Sequence, residues 1–189
     1  MLFKTIIAIS ALLPGVTQAF RFTAPIEDGI YAIRRDDSGQ EYPVYLGPLN
    51  ATLPLDLGPV NNTLPRKPKP KRQFRVENGS FPPGPAMTKI DCTGNGMVKE
   101  DWEAAMSALE DYCKEGRRYY DAKMAFSKGD VLAYTCDYFG GETCTEAEAR
   151  KAFERIRGKC GAQTSGWFNY YGRKTYGVEN QPASFCGNM

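Results

Sequence analysis

The 189-residue chain contains no histidine. Histidine is the usual proton carrier near neutral pH, a member of most hydrolytic triads and a common zinc ligand. Its absence excludes the serine and cysteine hydrolases that use imidazole, the histidine-dependent ribonucleases and most zinc hydrolases. We therefore expect neither a metal nor another cofactor.

Apolar runs long enough to cross a membrane are also missing from the sequence. The run from Ile6 to Leu13 is far shorter than the roughly 20 residues needed to span a bilayer. Lys4 precedes this run, and Pro14-Gly15 and the small-residue stretch ending at Ala19 follow it, which is the pattern of a secretory signal. We predict a signal peptide at residues 1–19, cleavage before Phe20, no membrane span and an extracellular product, located in the apoplast if the organism lives on a plant.

Cysteine is absent from the first 91 residues. The six cysteines are Cys92, Cys113, Cys136, Cys144, Cys160 and Cys186. An even number in an exported chain predicts disulfides, and a domain of about a hundred residues has a marginal core that three bridges would stabilise. Zinc binding is the alternative, but the chain has neither a Cys-x-x-Cys pair nor a histidine.

Residues 20–72 combine the lack of cysteine with repeated proline and glycine, and they end in the basic run 66–72. Such a run cannot bury enough apolar surface to fold, so we expect it to be extended and open to proteases. Lys71-Arg72 resembles the dibasic site of the kexin-type protease of the fungal secretory pathway, and Asp28-Gly29-Ile30-Tyr31 resembles a short segment of fungal propeptides. A nucleic-acid or heparin patch is the alternative.

These features predict four parts of the chain: a signal peptide at 1–19, a propeptide at 20–72, a flexible arm at 73–88 and a disulfide-rich domain at 89–189. Residues 73–189 carry 15 Lys and Arg against 16 Asp and Glu, a net charge of −1. Because this fragment lacks the basic surface of nucleic-acid binders, we expect no nucleic-acid partner. Glycosylation sequons occur at Asn50, Asn61 and Asn78.

Apolar periodicity predicts two helices in the last hundred residues. The first has a stripe with helical spacing and a glycine stop at Gly116. Its stripe consists of Trp102, Ala105, Met106, Leu109 and Cys113. The second begins at a capping box, Thr145 to Glu148, and continues as a stripe from Ala149 to Cys160.

Alternating and aromatic-rich runs predict strands around these helices. Residues 117–126 and 131–139 predict a hairpin, 166–178 one or two further strands, and 89–92 a short first strand. The resulting order, β-α-β-β-α-β, predicts an α+β fold in which an antiparallel sheet of about four strands carries both helices on one face.

Spacing alone leaves fifteen possible disulfide patterns. Cys144 and Cys160 flank a helix about 20 Å long, so they lie too far apart to bond to each other. In the expected fold the two helices are antiparallel, which brings the end of the first near the start of the second. We assign Cys113–Cys144, Cys92–Cys160 and Cys136–Cys186.

A carboxylate pair of the glycosidase kind is the remaining chemistry for an enzyme. The acids near the hairpin are Asp121, Asp130, Asp137 and Glu142. Nothing in the sequence places two of them together, and strand faces and turns commonly expose such residues. We therefore predict that the protein is not an enzyme, and we keep a carboxylate-based hydrolase as the least favoured hypothesis.

The aromatic segment 167–171 is the candidate binding site. Trp167, Tyr170 and Tyr171 could stack on a sugar or anchor a partner, because aromatic rings offer large contact areas. The alternative is that Trp167 or Phe168 fills the core beneath a helix, and we favour this alternative for Trp167.

The cysteine spacing and the order of elements, with Cys160-Gly161 and the terminal Ser184-Phe185-Cys186, resemble small cysteine-rich proteins secreted by filamentous ascomycetes. Many of these are candidate effectors, and some share the helix-on-sheet sandwich of the killer toxins of smut fungi. The resemblance implies a virulence effector or killer-toxin-like protein that binds a protein of a host or of a competing microbe. The alternative is a lectin-like protein that binds wall polysaccharide.

Overall fold

The computed structural model describes residues 19–53, 89–114, 116, 123–138, 143–170 and 173–187. Within these residues the chain forms nine strands and two helices. In chain order they are β1 (Phe20–Arg21), β2 (Gly29–Arg35), β3 (Glu41–Gly47), β4 (Ile90–Gly96), α1 (Lys99–Cys113), β5 (Lys123–Lys128), β6 (Val131–Asp137), α2 (Glu146–Cys160), β7 (Thr164–Tyr170), β8 (Lys174–Asn180) and β9 (Ser184–Phe185).

Several predicted features lie outside the described residues. They are residues 1–18 of the signal peptide, Lys71-Arg72, the arm at 73–88, Asn61, Asn78, Asp121, Glu142 and Tyr171. Asn50 is described and lies exposed in a turn after β3.

Both predicted helices are confirmed. α1 carries Glu100 and Asp101 in its first turn, where carboxylates favour the positive end of the helix dipole. α2 begins at the predicted capping box, in which the Glu148 backbone N–H donates to Thr145 Oγ1 at 3.3 Å. Local sequence signals therefore suffice to place these elements.

The sheet is larger than the sequence predicted. Among the described residues, seven strands form one antiparallel sheet in the order β3-β2-β5-β6-β8-β7-β4, and β1 pairs with β9 in a second, two-stranded sheet. The expectation of about four strands is wrong, because β2 and β3 come from the segment that was assigned to the propeptide.

β2 explains this difference. Ile30 and Ala32 pack into the cluster that contains the helices, whereas Tyr31 and Ile33 pack into a second cluster on the other face. An apolar run that is buried on both faces is typical of an interior strand. The lack of cysteine in residues 20–72 therefore did not indicate a lack of folded structure. The described residues of this segment belong to the same sheet as the disulfide-bonded region.

Both helices pack on the same face of the seven-stranded sheet. Trp102 and Leu109 of α1 and Phe153 of α2 are buried in one cluster with strand residues such as Phe126 and Phe168. We call this side the helix face and the opposite side the open face. The open face carries Tyr134 of β6 and the phenylalanines of β1 and β9.

The three assigned disulfides are confirmed. The Cα atoms lie 5.1 Å apart in Cys113–Cys144, 5.5 Å in Cys92–Cys160 and 5.6 Å in Cys136–Cys186. Cys113–Cys144 joins the end of α1 to the residue before the cap of α2, as expected for antiparallel helices. Cys136–Cys186 instead ties the C-terminal segment to the open face.

Candidate functional site

A pocket lies on the open face, where β8 lies between β6 and β7 in the sheet. Successive side chains of a strand point to opposite faces, so every second residue of these strands points away from the helices. The cavity has a volume of about 210 Å³. Its side chains from the main sheet and the adjacent residue 138 are Thr93, Tyr134, Tyr138, Trp167, Thr175 and Glu179. Ala19 and residues 184–187 complete the rim.

A glycine in the middle of the sheet makes room for the rings of the pocket. Gly177 of β8 lies opposite Tyr134 of β6 on one side and opposite Trp167 of β7 on the other. A Cβ atom on Gly177 would lie 2.3 Å from the Tyr134 ring carbon Cζ. The Tyr134 ring can lie across β8 because residue 177 has no side chain.

Glu179 supplies a carboxylate to the pocket. Only 7% of this residue is exposed. Thr93 Oγ1 lies 2.7 Å from Glu179 Oε2 and 2.5 Å from Ser165 Oγ. The Asn95 backbone N–H donates to Ser165 Oγ at 3.0 Å. Because a threonine hydroxyl carries one proton, donation to Glu179 leaves Ser165 to donate to Thr93. β4 and β7 therefore hold this carboxylate in place.

Burial raises the pKa of the Glu179 carboxyl above its ordinary value. The hydrogen bond from Thr93 opposes this shift because it favours the charged form. The carboxyl is thus held in a partly dry environment in which it can accept hydrogen bonds from a ligand, or donate one when it is protonated.

Two tyrosines that line the pocket, Tyr134 and Tyr138, stay protonated. Burial raises the pKa of Tyr134 well above its usual value, and the nearby Glu179 and Tyr138 add to the effect. Burial also raises the pKa of Tyr138, whose hydroxyl donates to Thr175 Oγ1 at 3.3 Å. The rings are therefore neutral near pH 7, and the phenol hydroxyls are hydrogen-bond donors.

Trp167 is half-buried beside the pocket, and it does not lie beneath a helix. The core position we favoured for it belongs to its neighbour Phe168, which is 2% exposed on the helix face. The Lys89 ammonium lies 5.0 Å from the centre of the Trp167 ring, at the distance of a cation–π contact. Alternation along β7 decides which of the two aromatic residues reaches the pocket.

Tyr170 does not join Trp167 in one aromatic surface. It packs against the helix-side cluster, with its ring 5.8 Å from that of Phe168. Trp167 and Tyr170 are three residues apart on a strand, so they point to opposite faces. Of the three aromatic residues predicted to bind, the structure brings Trp167 alone to the pocket, and Tyr171 lies outside the described residues.

Of the acids predicted for a hydrolase, the two that the structure describes, Asp130 and Asp137, do not line the pocket. Asp130 is exposed in the turn between β5 and β6, and Asp137 is buried at the end of β6. Sequence reasoning missed Glu179. Its signal was the alternation of polar or small residues 175, 177 and 179 with the buried Tyr176 and Val178, which places a carboxylate on the face opposite the core.

Lys174 is another residue whose environment the sequence did not show. Lys174 is a charged residue at the start of β8, yet it is only 5% exposed. Its ammonium lies 2.6 Å from Glu148 Oε2 and donates to the Thr143 carbonyl at 2.7 Å. Since a buried charge needs a partner, this pair fixes β8 against the start of α2.

Other kinds of site were searched for in the part of the chain that the structure describes. There, no group of three or more histidine, cysteine, aspartate or glutamate residues could hold a metal ion. Neither of the two helices has the length and apolar character of a membrane span.

Comparison of the chain with protein-family models, with curated proteins and with solved structures finds no match. The pocket and the sequence therefore provide the basis for a functional proposal.

Proposed function

We propose that this is a secreted effector or killer-toxin-like protein that acts by binding a molecule of a host or of a competing microbe. The pocket around Trp167, Tyr138 and Glu179 carries the proposal, because it combines ring surfaces with one buried carboxylate. Its volume of about 210 Å³ is below the roughly 300 Å³ at which small-molecule sites begin. It therefore suits one side chain of a protein partner or one sugar ring.

The secreted setting rests on the signal-like N-terminus and on the three disulfides, which form and persist in oxidising compartments. Cys186 itself lines the pocket, so the Cys136–Cys186 bond also holds part of the site in shape. Such a cross-linked pocket suits a protein that works outside the cell.

Binding is favoured over hydrolysis by the number of carboxylates. Glycosidases of the common kind need two carboxyl groups about 5 to 10 Å apart. Glu179 is the one carboxylate among the described residues that line the cavity. A single carboxyl beside aromatic rings can orient a hydrogen-bond donor, and this is a binding role.

The protein for the decisive experiment should begin at Phe20, because Ala19 lines the pocket and the predicted cleavage removes it. Folded protein is infiltrated into leaves and added to cultures of competing fungi. We expect cell death, altered immune output or growth arrest. Trp167→Ala and Glu179→Gln should abolish that response, whereas Tyr42→Ser, a change at an exposed residue of β3, should retain it. A response equally strong with both pocket variants would overturn the assignment of the pocket.

Binding of wall polysaccharide is the second candidate, and the position of Trp167 favours it. A half-buried ring next to a buried carboxylate is suited to stacking on a sugar and holding its hydroxyls. Retention of the protein on chitin or glucan beads, lost in Trp167→Ala, would establish this candidate. If the beads release the wild-type protein in plain buffer, a protein partner remains the better hypothesis.

A further inference from the structure

The N-terminal segment, residues 20–53, supplies the two outermost strands at one side of the main sheet, β3 and β2. β2 pairs with β5 through five residue pairs, from Gly29 with Ser127 to Ile33 with Lys123. Without β2, β5 would become an edge strand with a row of unpaired backbone groups. The sheet is therefore incomplete unless this segment is present.

The same segment fills both hydrophobic clusters. Ile30, Ala32 and Leu53 are buried with the helices, while Tyr31 and Ile33 are buried on the open face. Losing the segment would uncover apolar side chains of β5 on both sides of the sheet. A soluble protein exposes contiguous apolar surface of this kind only rarely.

Aromatic contacts hold the start of the segment at the edge of the pocket. Phe20 pairs with Phe185 across β1 and β9, and the two rings lie 5.5 Å apart. The ring of Phe22 stacks on Phe185 at 5.7 Å, and Phe185 in turn lies 5.1 Å from Tyr134. The segment thus supports a wall of the pocket.

The motif Asp28-Gly29-Ile30-Tyr31 has a direct structural role in this attachment. Asp28 accepts hydrogen bonds from the Lys128 ammonium at 2.5 Å and from the Gly129 backbone N–H at 2.7 Å. These contacts lower the pKa of Asp28. Gly29 has φ +153°, and a Cβ there would lie 2.4 Å from the Tyr45 ring.

A second ion pair crosses from β3 to β5. The Lys123 ammonium lies 2.6 Å from Glu41 Oε2, and both side chains are largely buried. The backbone N–H of Ile26 also donates a hydrogen bond to the side-chain oxygen Oε1 of Gln181 at 2.9 Å. Charge, hydrogen bonds and apolar burial therefore act together over the length of the segment.

None of these contacts is covalent. All six cysteines lie between residues 92 and 186, and they bond to one another. The predicted cleavage after Arg72 falls between Leu53 and Lys89, outside the described residues. A cut there breaks no contact between the N-terminal segment and the described sheet.

From these contacts we infer that residues 20–53 remain bound after the chain is cut, as a noncovalent second chain of the mature protein. The segment is then a permanent subunit that completes the sheet, and it does not leave as a discarded propeptide. This inference does not depend on which molecule the pocket binds.

The test uses the full chain from Phe20, cut with a kexin-type protease or at a site for a specific protease inserted after Arg72. We expect two chains on a denaturing gel and a single species in size-exclusion chromatography and native mass spectrometry, with the summed mass of both fragments. The melting temperature of the cut protein should fall on dilution, whereas that of the uncut Lys71→Gln/Arg72→Gln protein should not.

Matched variants locate the attachment. Ile33→Ala should weaken association of the two chains about 30-fold or more, because it removes a buried side chain of β2. Tyr42→Ser, at an exposed residue of β3, should leave the affinity within about threefold. Separation of the cut wild-type protein into a free N-terminal chain and a folded fragment starting at residue 73, at micromolar concentration, would overturn the inference.

Discussion

The two faces of the main sheet differ in what covers them and in what they do. The helix face is closed by α1 and α2 and contains large apolar side chains such as Phe153 and Phe168. The open face mixes rings with the polar groups of Thr93 and Glu179 and leaves a cavity between them. Dense apolar packing stabilises the first face, and incomplete packing on the second provides a site. Adjacent residues of one strand thus serve different purposes.

The largest effect should come from residues 167 and 168, which are neighbours on opposite faces. Phe168→Ala should lower the free energy of unfolding by about 3–5 kcal/mol, because it leaves a cavity beneath the helices. Trp167→Ala should cost about 2 kcal/mol or less, because that side chain is only half-buried. Denaturant titration measures both, and equal losses would contradict the distinction between the faces.

Two disulfides give the next largest effect. Replacing both Cys113 and Cys144 by alanine should lower the free energy of unfolding by about 2–4 kcal/mol, and so should replacing Cys136 and Cys186. Of the two double variants, only the replacement of Cys136 and Cys186 should also reduce ligand binding, because Cys186 lines the pocket. Chemical unfolding of the two double variants, followed by the binding assay, checks both parts. A loss of binding that accompanied the first pair equally would show that the open face has no separate role.

Two glycines should respond with opposite signs. Gly177→Ala should destabilise the protein by about 1–3 kcal/mol and block the pocket, because the new methyl group would overlap the Tyr134 ring. Gly158→Ala in α2 meets no atom within 4 Å and should stabilise the helix by up to about 1 kcal/mol. Thermal unfolding distinguishes them. A stabilised Gly177→Ala protein with normal binding would show that room at residue 177 is unimportant.

The smallest effect concerns pH. Burial raises the pKa of Glu179 in the folded protein, so the folded state holds this proton more tightly than the unfolded chain does. Its contribution to stability is fully present below the unfolded pKa, and it is lost as the pH rises through the folded pKa. The stability of Glu179→Gln should therefore decline less than that of the wild type as the pH rises from about 4 toward neutral.

Asp28 provides the opposite sign for comparison. Lys128 and Gly129 lower its pKa in the folded protein, so its contribution is present above the unfolded pKa and lost as the pH falls through the folded pKa. Asp28→Asn should thus reduce the dependence of stability on acid. Denaturant titrations from pH 3 to 7 on both variants test the signs, with Glu154→Gln on the exposed side of α2 as the matched charge control. If the stability of Glu179→Gln changed with pH in parallel with that of the wild type, the raised pKa of Glu179 would be contradicted.

Much of the disulfide-bonded region could be predicted from local patterns. The stripe from Trp102 to Cys113 and the capping box at Thr145 placed both helices, and their antiparallel arrangement led to the pairing of Cys113 with Cys144. These signals depend on residues that are close in sequence, so their interpretation needs no knowledge of distant partners.

The pocket was not predictable in the same way. Trp167 and Phe168 are both large aromatic residues, and which of them lies beneath the helices depends on the register of β7 between β4 and β8. The sequence shows Glu179 as a polar residue directly after a predicted strand. It does not show that Glu179 is hydrogen-bonded to Thr93, which is 86 residues away in the chain. The sequence around either residue does not indicate a contact with such a distant partner.

The sequence by itself determined the two helices, the proximity of Cys113 to Cys144 and the face alternation of the strands, since each follows from helix periodicity, capping chemistry or bond geometry. The tertiary structure alone decided that residues 20–53 complete the sheet and that Gly177 opens a pocket between Tyr134 and Trp167. The contact of Asp28 with Lys128 spans 100 residues of chain. Contacts at that separation form only when the whole sheet assembles, because only the assembled sheet compensates the entropy lost in closing so long a loop.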